Sequence, residues 1–445
     1  MAGARFDILT RPAQTGRERE LGVPSKRALF LTSPNSYRTQ DYLDAAAKLG
    51  IEAVVAMDLP RLLAEEWDFP LGADFWRPVQ ASEQLFDALD NSTGSDEENR
   101  FDAVLGLDDS GSRVAALVAK RLGLPHNDPM AAEAARNKYR MRTMLAACGA
   151  PVPAFAEFQT GDNLKETIAR AEESIGYPCV VKPEELNGSR GVIRADLRCE
   201  LGAAVRRLTA LIGDGQPFLI EGYIPGVEVA LEGLLDRDRL HCLALFDKPD
   251  PLEGPYFEET IYVTPSRLPL ETQNSIIETT EAAARGLGLQ TGPIHAELRI
   301  NDDGPWIVEV AGRSIGGLCS RILRFGMEVG NGSSLEELIL RQACGLPLES
   351  LERESQAGGV MMIPIPEAGI LRRVKGVEEA RDLAGIEDVQ ITAKLDQSLV
   401  PLPEGDAYLG FIFAKGSSPA QVEELLRKAH GCIQLEVDPE FELVQ

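Results

Sequence analysis

Three observations predict a multidomain chain of mixed α/β and α+β class. Over Lys26–Asp128, short apolar runs alternate with longer amphipathic stretches, the pattern of an N-terminal open parallel α/β domain. Over Pro151–Leu346, strand-like runs follow one another across turns, which predicts antiparallel pairing and an α+β body. The chain has 445 residues, 44% of them hydrophobic, enough to fill several ordinary cores.

Taken in order, residues 1–25 lack the apolar core of a secretory signal and read as a flexible arm. Residues 26–130 form the first domain. There RALFLTS, IEAVVAMD and FDAVLGLDD are strands, YRTQDYLDAAAKLG is a helix capped at its C-terminus by Gly50, and SGSRVAALVAKRLGL is a helix that Ser110 is placed to cap. Residues 131–150, rich in Ala, Arg and Met and stopped by Gly149-Ala-Pro151, are connecting helices. Residues 151–224 and 225–346 divide the α+β body into a small and a large part. Residues 347–445, with further short strands and two helices, form a C-terminal closing α+β domain.

The charge balance excludes some partners. With 45 Lys and Arg against 70 Asp and Glu, the formal charge is −25, the wrong sign for a duplex-binding face or an anionic membrane surface. No apolar run reaches the roughly 18 residues that span a bilayer. The seven cysteines stand singly without CxxC spacing, which favours reduced thiols and a cytoplasmic enzyme over a disulfide frame or a zinc site.

Three segments carry chemistry. In Tyr177-Pro-Cys-Val-Val-Lys-Pro183, an apolar strand presents one lysine, Lys182, and the turn Asn187-Gly-Ser-Arg-Gly191 follows. A lysine beside a glycine-rich turn of free N–H groups suits a polyphosphate, although a hairpin turn with a snorkelling lysine fits the same residues. In Phe218–Glu228, a strand breaks at Pro225-Gly226 between Glu221 and Glu228; backbone at such a break can read a purine edge and a carboxylate can take ribose hydroxyls, while a plain turn with two solvated glutamates is the simpler alternative. Third, IHAELRI and WIVEVA flank the turn Asn301-Asp-Asp-Gly304. A hairpin centred on Asp303 sets Glu297 opposite Glu309, and two facing carboxylates call for a cation such as Mg²⁺. His295 and Arg299 share the Glu297 face, and Arg313-Ser-Ile-Gly-Gly317 looks like a second anion-binding turn.

Together these motifs resemble the ATP-grasp superfamily, in residue type, order and spacing from about Asn137 to Gly345; the flanking domains resemble those of biotin carboxylase and its relatives. The resemblance implies an ATP-grasp fold, with ATP and Mg²⁺ (or Mn²⁺) as cofactors. It implies that Lys138 and Lys182 contact the α- and β-phosphates and that Gly188, Ser189, Arg190 and Gly191 close over the triphosphate. Backbone at Tyr223 and Ile224 would read adenine, with Glu221 nearby and Glu228 on the ribose. Glu297 and Glu309 would hold the metal, and Arg313 would stabilise the transferring phosphoryl group, with Lys182 beside it in catalysis. One departure stands out: where the family pattern has Asn two residues after the second metal carboxylate, this chain has Ala311.

Within the superfamily, Gly254-Pro-Tyr-Phe-Glu-Glu-Thr260, Tyr262 and Pro265-Ser-Arg-Leu-Pro269 resemble the substrate-side segment of bacterial L-amino acid ligases and carnosine synthase. That implies Glu259 (or Glu258) at a substrate amino group, Tyr262 in the pocket wall, and Ser314, Gly316 and Gly317 around acyl phosphate oxygens. The activity implied is ATP-dependent carboxylate–amine ligation through an acyl phosphate. The partners are a small carboxylate and a small amine, with neither nucleic acid nor membrane, and a homodimer is compatible. A biotin-carboxylase-like or purine-biosynthetic ligase and a non-catalytic nucleotide-binding regulator are the alternative readings.

Overall fold

The computed structural model describes residues 26–66, 69, 71–93, 100–237, 239–326 and 332–439. The N-terminal arm and residues 94–99 lie outside them.

The first unit contains β1 (Arg27–Thr32), α1 (Thr39–Leu49), β2 (Glu52–Asp58), α2 (Arg61–Glu66), β3 (Leu71–Ala73), α3 (Pro78–Thr93), β4 (Ala103–Gly106) and α4 (Asp109–Leu122). Its strands pair in parallel in the order β3-β2-β1-β4. This follows from the crossover helices, which bury β1 on both faces: Ala28, Leu29, Phe30 and Leu31 are fully enclosed. Gly50 caps α1 in the left-handed conformation, as expected. The α4 cap differs. Asp108 rather than Ser110 is the N-cap, its carboxylate accepting from the Gly111 amide, while the Ser110 hydroxyl donates to that same carboxylate. A carboxylate two residues upstream outcompetes the hydroxyl because its charge also complements the positive end of the helix dipole.

Two short helices, α5 (Pro129–Arg136) and α6 (Lys138–Ala147), lead to the small subdomain. This holds β5 (Phe155–Gln159), α7 (Leu164–Ser174), β6 (Cys179–Pro183), β7 (Ile193–Ala195), α8 (Arg198–Ile212) and β8 (Pro217–Gly222). The four strands form one antiparallel sheet ordered β5-β8-β6-β7.

The large subdomain has β9 (Val227–Asp236), β10 (Arg239–Lys248), β11 (Ile261–Thr264), α9 (Leu270–Leu287), β12 (Thr291–Asn301), β13 (Gly304–Ala311) and α10 (Leu335–Ala343). Beyond it come β14 (Ala357–Ile363), β15 (Gly369–Lys375), α11 (Val377–Arg381), β16 (Ile386–Ile391), β17 (Ser398–Leu399), β18 (Gly410–Gly416), α12 (Pro419–His430) and β19 (Gln434–Asp438). The tail does not build a separate central sheet. Strand β11 pairs with β14, so one sheet runs β13-β12-β9-β10-β11-β14-β18-β16, and the C-terminal residues share a wall with the large subdomain.

The β12–β13 hairpin turns differently from the expected symmetry about Asp303. Asn301 pairs with Gly304, which centres the turn between Asp302 and Asp303, and a bulge then lets Glu297 face Glu309. The extra residue is Val308, whose carbonyl accepts from the Arg142 guanidinium at 2.9 Å.

Candidate active site

One cleft of about 1380 Å³ lies between the first unit, the two subdomains and the C-terminal segment. Lys138, Lys182, Gly188–Arg190, Glu221, Tyr223, Ile224, Glu228, Glu259, Tyr262, Glu297, Glu309, Arg313, Gly316 and Gly317 all line it. Gly191 and Ser314 stand just behind, within the same two turns.

On the small-subdomain side, β6 carries Lys182 to Glu221 on the adjacent β8, 2.6 Å away. Arg142 from α6 reaches the same carboxylate at 2.6 and 3.1 Å. Burial alone would raise the Glu221 pKa, but the two cations outweigh it and hold it down at about 2. Burial lowers the Lys182 pKa, with Glu221 opposing. One carboxylate between two cations leaves a local positive excess, which suits a polyanion. Lys138 opens α6 behind its N-cap Asn137; its ammonium donates to the Leu186 carbonyl at 2.7 Å and lies 3.7 Å from Glu309. The glycine-rich turn needs its glycines: Gly188, Ser189 and Gly191 all have positive φ, at 61°, 57° and 72°. The Arg190 guanidinium is turned toward the C-terminal segment, donating to the Glu404 carbonyl at 2.8 Å.

At the hinge between the subdomains, the Tyr223 amide donates to Pro178 O and the Ile224 carbonyl accepts from Arg299. Arg299 also holds Glu228 at 2.9 Å and lies against the Tyr223 and Phe257 rings.

On the large-subdomain side the polarity reverses. Lys248, at the end of β10, stands among three carboxylates: Glu228 at 2.7 Å, Glu259 at 2.8 Å and Glu297 at 3.0 Å. Burial opposes its charge, yet these neighbours push its pKa well above the ordinary lysine value. Burial and the nearby Glu297 raise Glu259 to about 7. Glu297 also feels burial, but Lys248 and His295 hold it well below the usual carboxylate range. Tyr262 contributes its hydroxyl at 3.4 Å from Glu297 and its ring beneath Lys248. Oxygens of Glu228, Glu259 and Glu297 lie within 4.8 Å of one another, and Glu309 faces Glu297 across the hairpin. Carboxylates outnumber cations here, and an all-oxygen donor set of this kind fits Mg²⁺. Ala311, the departure from the family pattern, is buried opposite His295 and offers no ligand atom.

The Arg313–Gly317 turn is held from outside its own subdomain. Arg313 pairs with Asp109, the first residue of α4, at 2.7 Å; burial disfavours its charge, but Asp109 raises its pKa above the ordinary value. Ser314 Oγ lies 3.3 Å from the Tyr42 hydroxyl, the Ile315 amide donates to buried Glu232, and the Gly317 amide donates to Tyr37. A Cβ on Gly316 would come within 3.2 Å of Arg38 and Tyr37, so only glycine fits without displacement.

Lys248, Arg142, Asp109 and Tyr37 were not singled out from sequence. Lys248 left one usable signal, a charged Asp-Lys pair ending an apolar strand. Arg142 lies one turn past Lys138 on α6, while Asp109 and Tyr37 belong to the first unit, and only tertiary structure brings their side chains to the site.

Two β subdomains clasping a cleft, a lysine and a glycine-rich turn on one side and paired carboxylates on the other, are the layout of an ATP-grasp fold. Comparison with known proteins bears this out. The ATP-grasp domain model matches residues 175–322, and the model of L-amino acid ligase C-terminal domain 2 matches residues 361–438. The crystal structure of L-amino acid ligase from Bacillus licheniformis superposes with a TM-score of 0.77 at 26% identity, covering 94% of this chain and all of that one. A Sinorhizobium fredii protein, y4rH, is 23% identical over 93% of this chain and 84% of its own length. The alanine–anticapsin ligase of Bacillus subtilis is 28% identical over 45% of this chain, and the aligned stretch spans 46% of that ligase. The chain thus carries an ATP-grasp domain followed by the C-terminal domain 2 of the L-amino acid ligases, and is an enzyme of the C–N bond-forming ligase class. Among the described residues no helix is long and apolar enough to cross a membrane.

Proposed function

We propose that the protein joins two amino acids or amino-acid-like molecules. ATP transfers its terminal phosphoryl group to a substrate carboxylate, giving an acyl phosphate and ADP; the amine of the second substrate attacks the carbonyl carbon, and phosphate leaves as the amide forms. The observation that carries this reading is the continuity of one cleft from the glycine-rich turn, past Glu297 and Glu309, to Glu259 and Gly316–Gly317.

The roles follow from the charges. The positive excess at Arg142, Lys182 and Glu221, with Lys138 beside it, takes the α- and β-phosphates, and Gly188–Gly191 covers them. With Tyr223 N and Ile224 O engaged, the Tyr223 carbonyl and the Ile224 amide remain to read adenine. Glu228 has acceptor capacity left for ribose hydroxyls, because each carboxylate oxygen offers two lone-pair sites. Glu297 and Glu309 are the residues to hold Mg²⁺. When bound, that ion neutralises phosphate oxygens and lowers the barrier to transfer. Lys248, buried behind the cleft wall between the ribose-side and metal-side carboxylates, fixes the positions of Glu228, Glu259 and Glu297. Arg313, fixed by Asp109, faces the charge that develops on transfer. An attacking amine must first lose a proton, and Glu259, titrating near 7, is suited to accept it beside Tyr262. Of the two amides of the Ser314–Gly317 turn that are not donated to Glu232 or Tyr37, that of Gly316 belongs to a residue lining the cleft.

The test is a screen of amino acids, singly and in pairs, for phosphate release and amide formation with Mg·ATP. Amide should form with one ADP per bond. Tight ATP binding with no productive pair across the standard amino acids and their β- and ω-amino analogues would count against ligation.

A further inference from the structure

The segment between β17 and β18 touches the glycine-rich turn and α8 of the small subdomain at several points. The Gly191 amide donates to Pro403 O at 2.8 Å, and Arg190 donates to Glu404 O at 2.8 Å and approaches Asp406 at 3.5 Å. The Glu404 carboxylate takes both a 2.5 and a 2.9 Å bond from Arg207 on α8, a two-point pairing. Arg207 has a second partner, the hydroxyl of Tyr256 in the substrate-side segment. That segment is stitched to the small subdomain again where the Arg194 amide donates to Pro255 O at 2.9 Å and its guanidinium donates to Glu253 O at 2.7 Å. At its other end the strap carries Tyr408, whose hydroxyl lies 3.5 Å from Glu259.

We propose that residues 400–408 are a strap holding the glycine-rich turn closed, with Glu404 and Arg207 as its clasp. Neither touches reacting atoms; both are positioning residues. Through Arg207 and Tyr256 at one end and Tyr408 at the other, the clasp ties closure over the triphosphate to the segment bearing Glu259. Nucleotide is thereby held shut, and shielded from water, when the substrate side is in place. The consequence for coupling rests on the ligase reading above; the clasp itself does not.

The experiment uses the full chain carrying Glu404→Gln, Arg207→Met, or both. Affinity for a non-hydrolysable ATP analogue with Mg²⁺ is measured by calorimetry, and phosphate released per amide formed is measured in turnover. Both side chains are partly exposed, so each single change should weaken analogue binding by roughly threefold to fivefold. Each should also raise phosphate release without amide, and the double variant should be no weaker than the worse single, since the Glu404–Arg207 contact is already lost in either. Unchanged analogue affinity in both singles, or losses that add fully in the double, would overturn the clasp. So would a fall in kcat alone with affinity and phosphate-to-amide ratio unchanged, which marks a purely structural role. If no amino acid pair proves productive, the calorimetry still decides the clasp while the ligase reading falls separately.

Discussion

Glu221 and Lys248 are inversions of one another. Glu221 is one buried carboxylate held by two cations, Arg142 and Lys182; Lys248 is one buried cation held by three carboxylates, Glu228, Glu259 and Glu297. The first leaves positive charge facing the glycine-rich turn, and the second leaves negative charge facing the opposite wall. The same cleft is therefore divided into a positively charged side and a negatively charged side, although the chain as a whole carries −25.

Breaking the second cluster should have the larger effect. Lys248→Met keeps the length of the side chain but leaves three crowded carboxylates without their ammonium, an uncompensated burial that costs about 3–5 kcal/mol. Urea unfolding should report that loss, and it should shrink when millimolar Mg²⁺ is added, because a cation then replaces part of the missing charge. A loss under about 1 kcal/mol would mean that the carboxylates are already relieved by protonation or solvent.

The first cluster makes a prediction in pH. Its folded-state pKa of about 2 lies below the ordinary value of 4.5, so Glu221 contributes stability above about pH 4.5 that is lost as pH falls toward 2. At 1.36 kcal/mol per unit, the full contribution is of the order of 3 kcal/mol. The stability difference between wild type and Glu221→Gln should be constant near neutrality and shrink between pH 4.5 and 2. A difference independent of pH over that window would show that Glu221 is not the ionised partner of Arg142 and Lys182.

The two clusters were unequally legible. Glu221, Lys182, Glu228, Glu297 and Glu259 all stand in motifs whose spacing is local, and the alternation that places Glu297 opposite Glu309 is a property of one hairpin. Their central partners, Arg142 one turn past Lys138 on α6 and Lys248 at the end of β10, belong to no motif of their own, and nothing in a linear pattern distinguishes a buried charged residue from a solvated one. The same holds for the tail. Its strands were visible as short apolar runs, but whether β14 joins β11 depends on long-range pairing that strand patterning does not encode. The Val308 bulge escaped because a symmetric hairpin and a bulged one share nearly the same alternation; the difference is one residue in register.

Glu309 sharpens the comparison from the exposed edge of the negative side. Unlike Glu297 it retains 28% side-chain exposure; its paired cation, Lys138, is 3.7 Å away, and Arg313 is near enough to feel its charge. Glu309→Gln should therefore alter stability by no more than about 0.5 kcal/mol, as for a partly solvated site. Function should respond differently, because an amide oxygen is a weaker ligand for a hard cation than a carboxylate. Turnover should fall by about 100-fold or more, equivalent to roughly 2.7 kcal/mol of transition-state stabilisation, with a raised Mg²⁺ requirement. Unfolding curves and a Mg²⁺ titration of phosphate release on the same preparation separate the two effects. Retained turnover at unchanged Mg²⁺ demand would place the ion on Glu228, Glu259 and Glu297 instead, and would make the Lys248 cluster, rather than the hairpin pair, the metal-holding wall of the cleft.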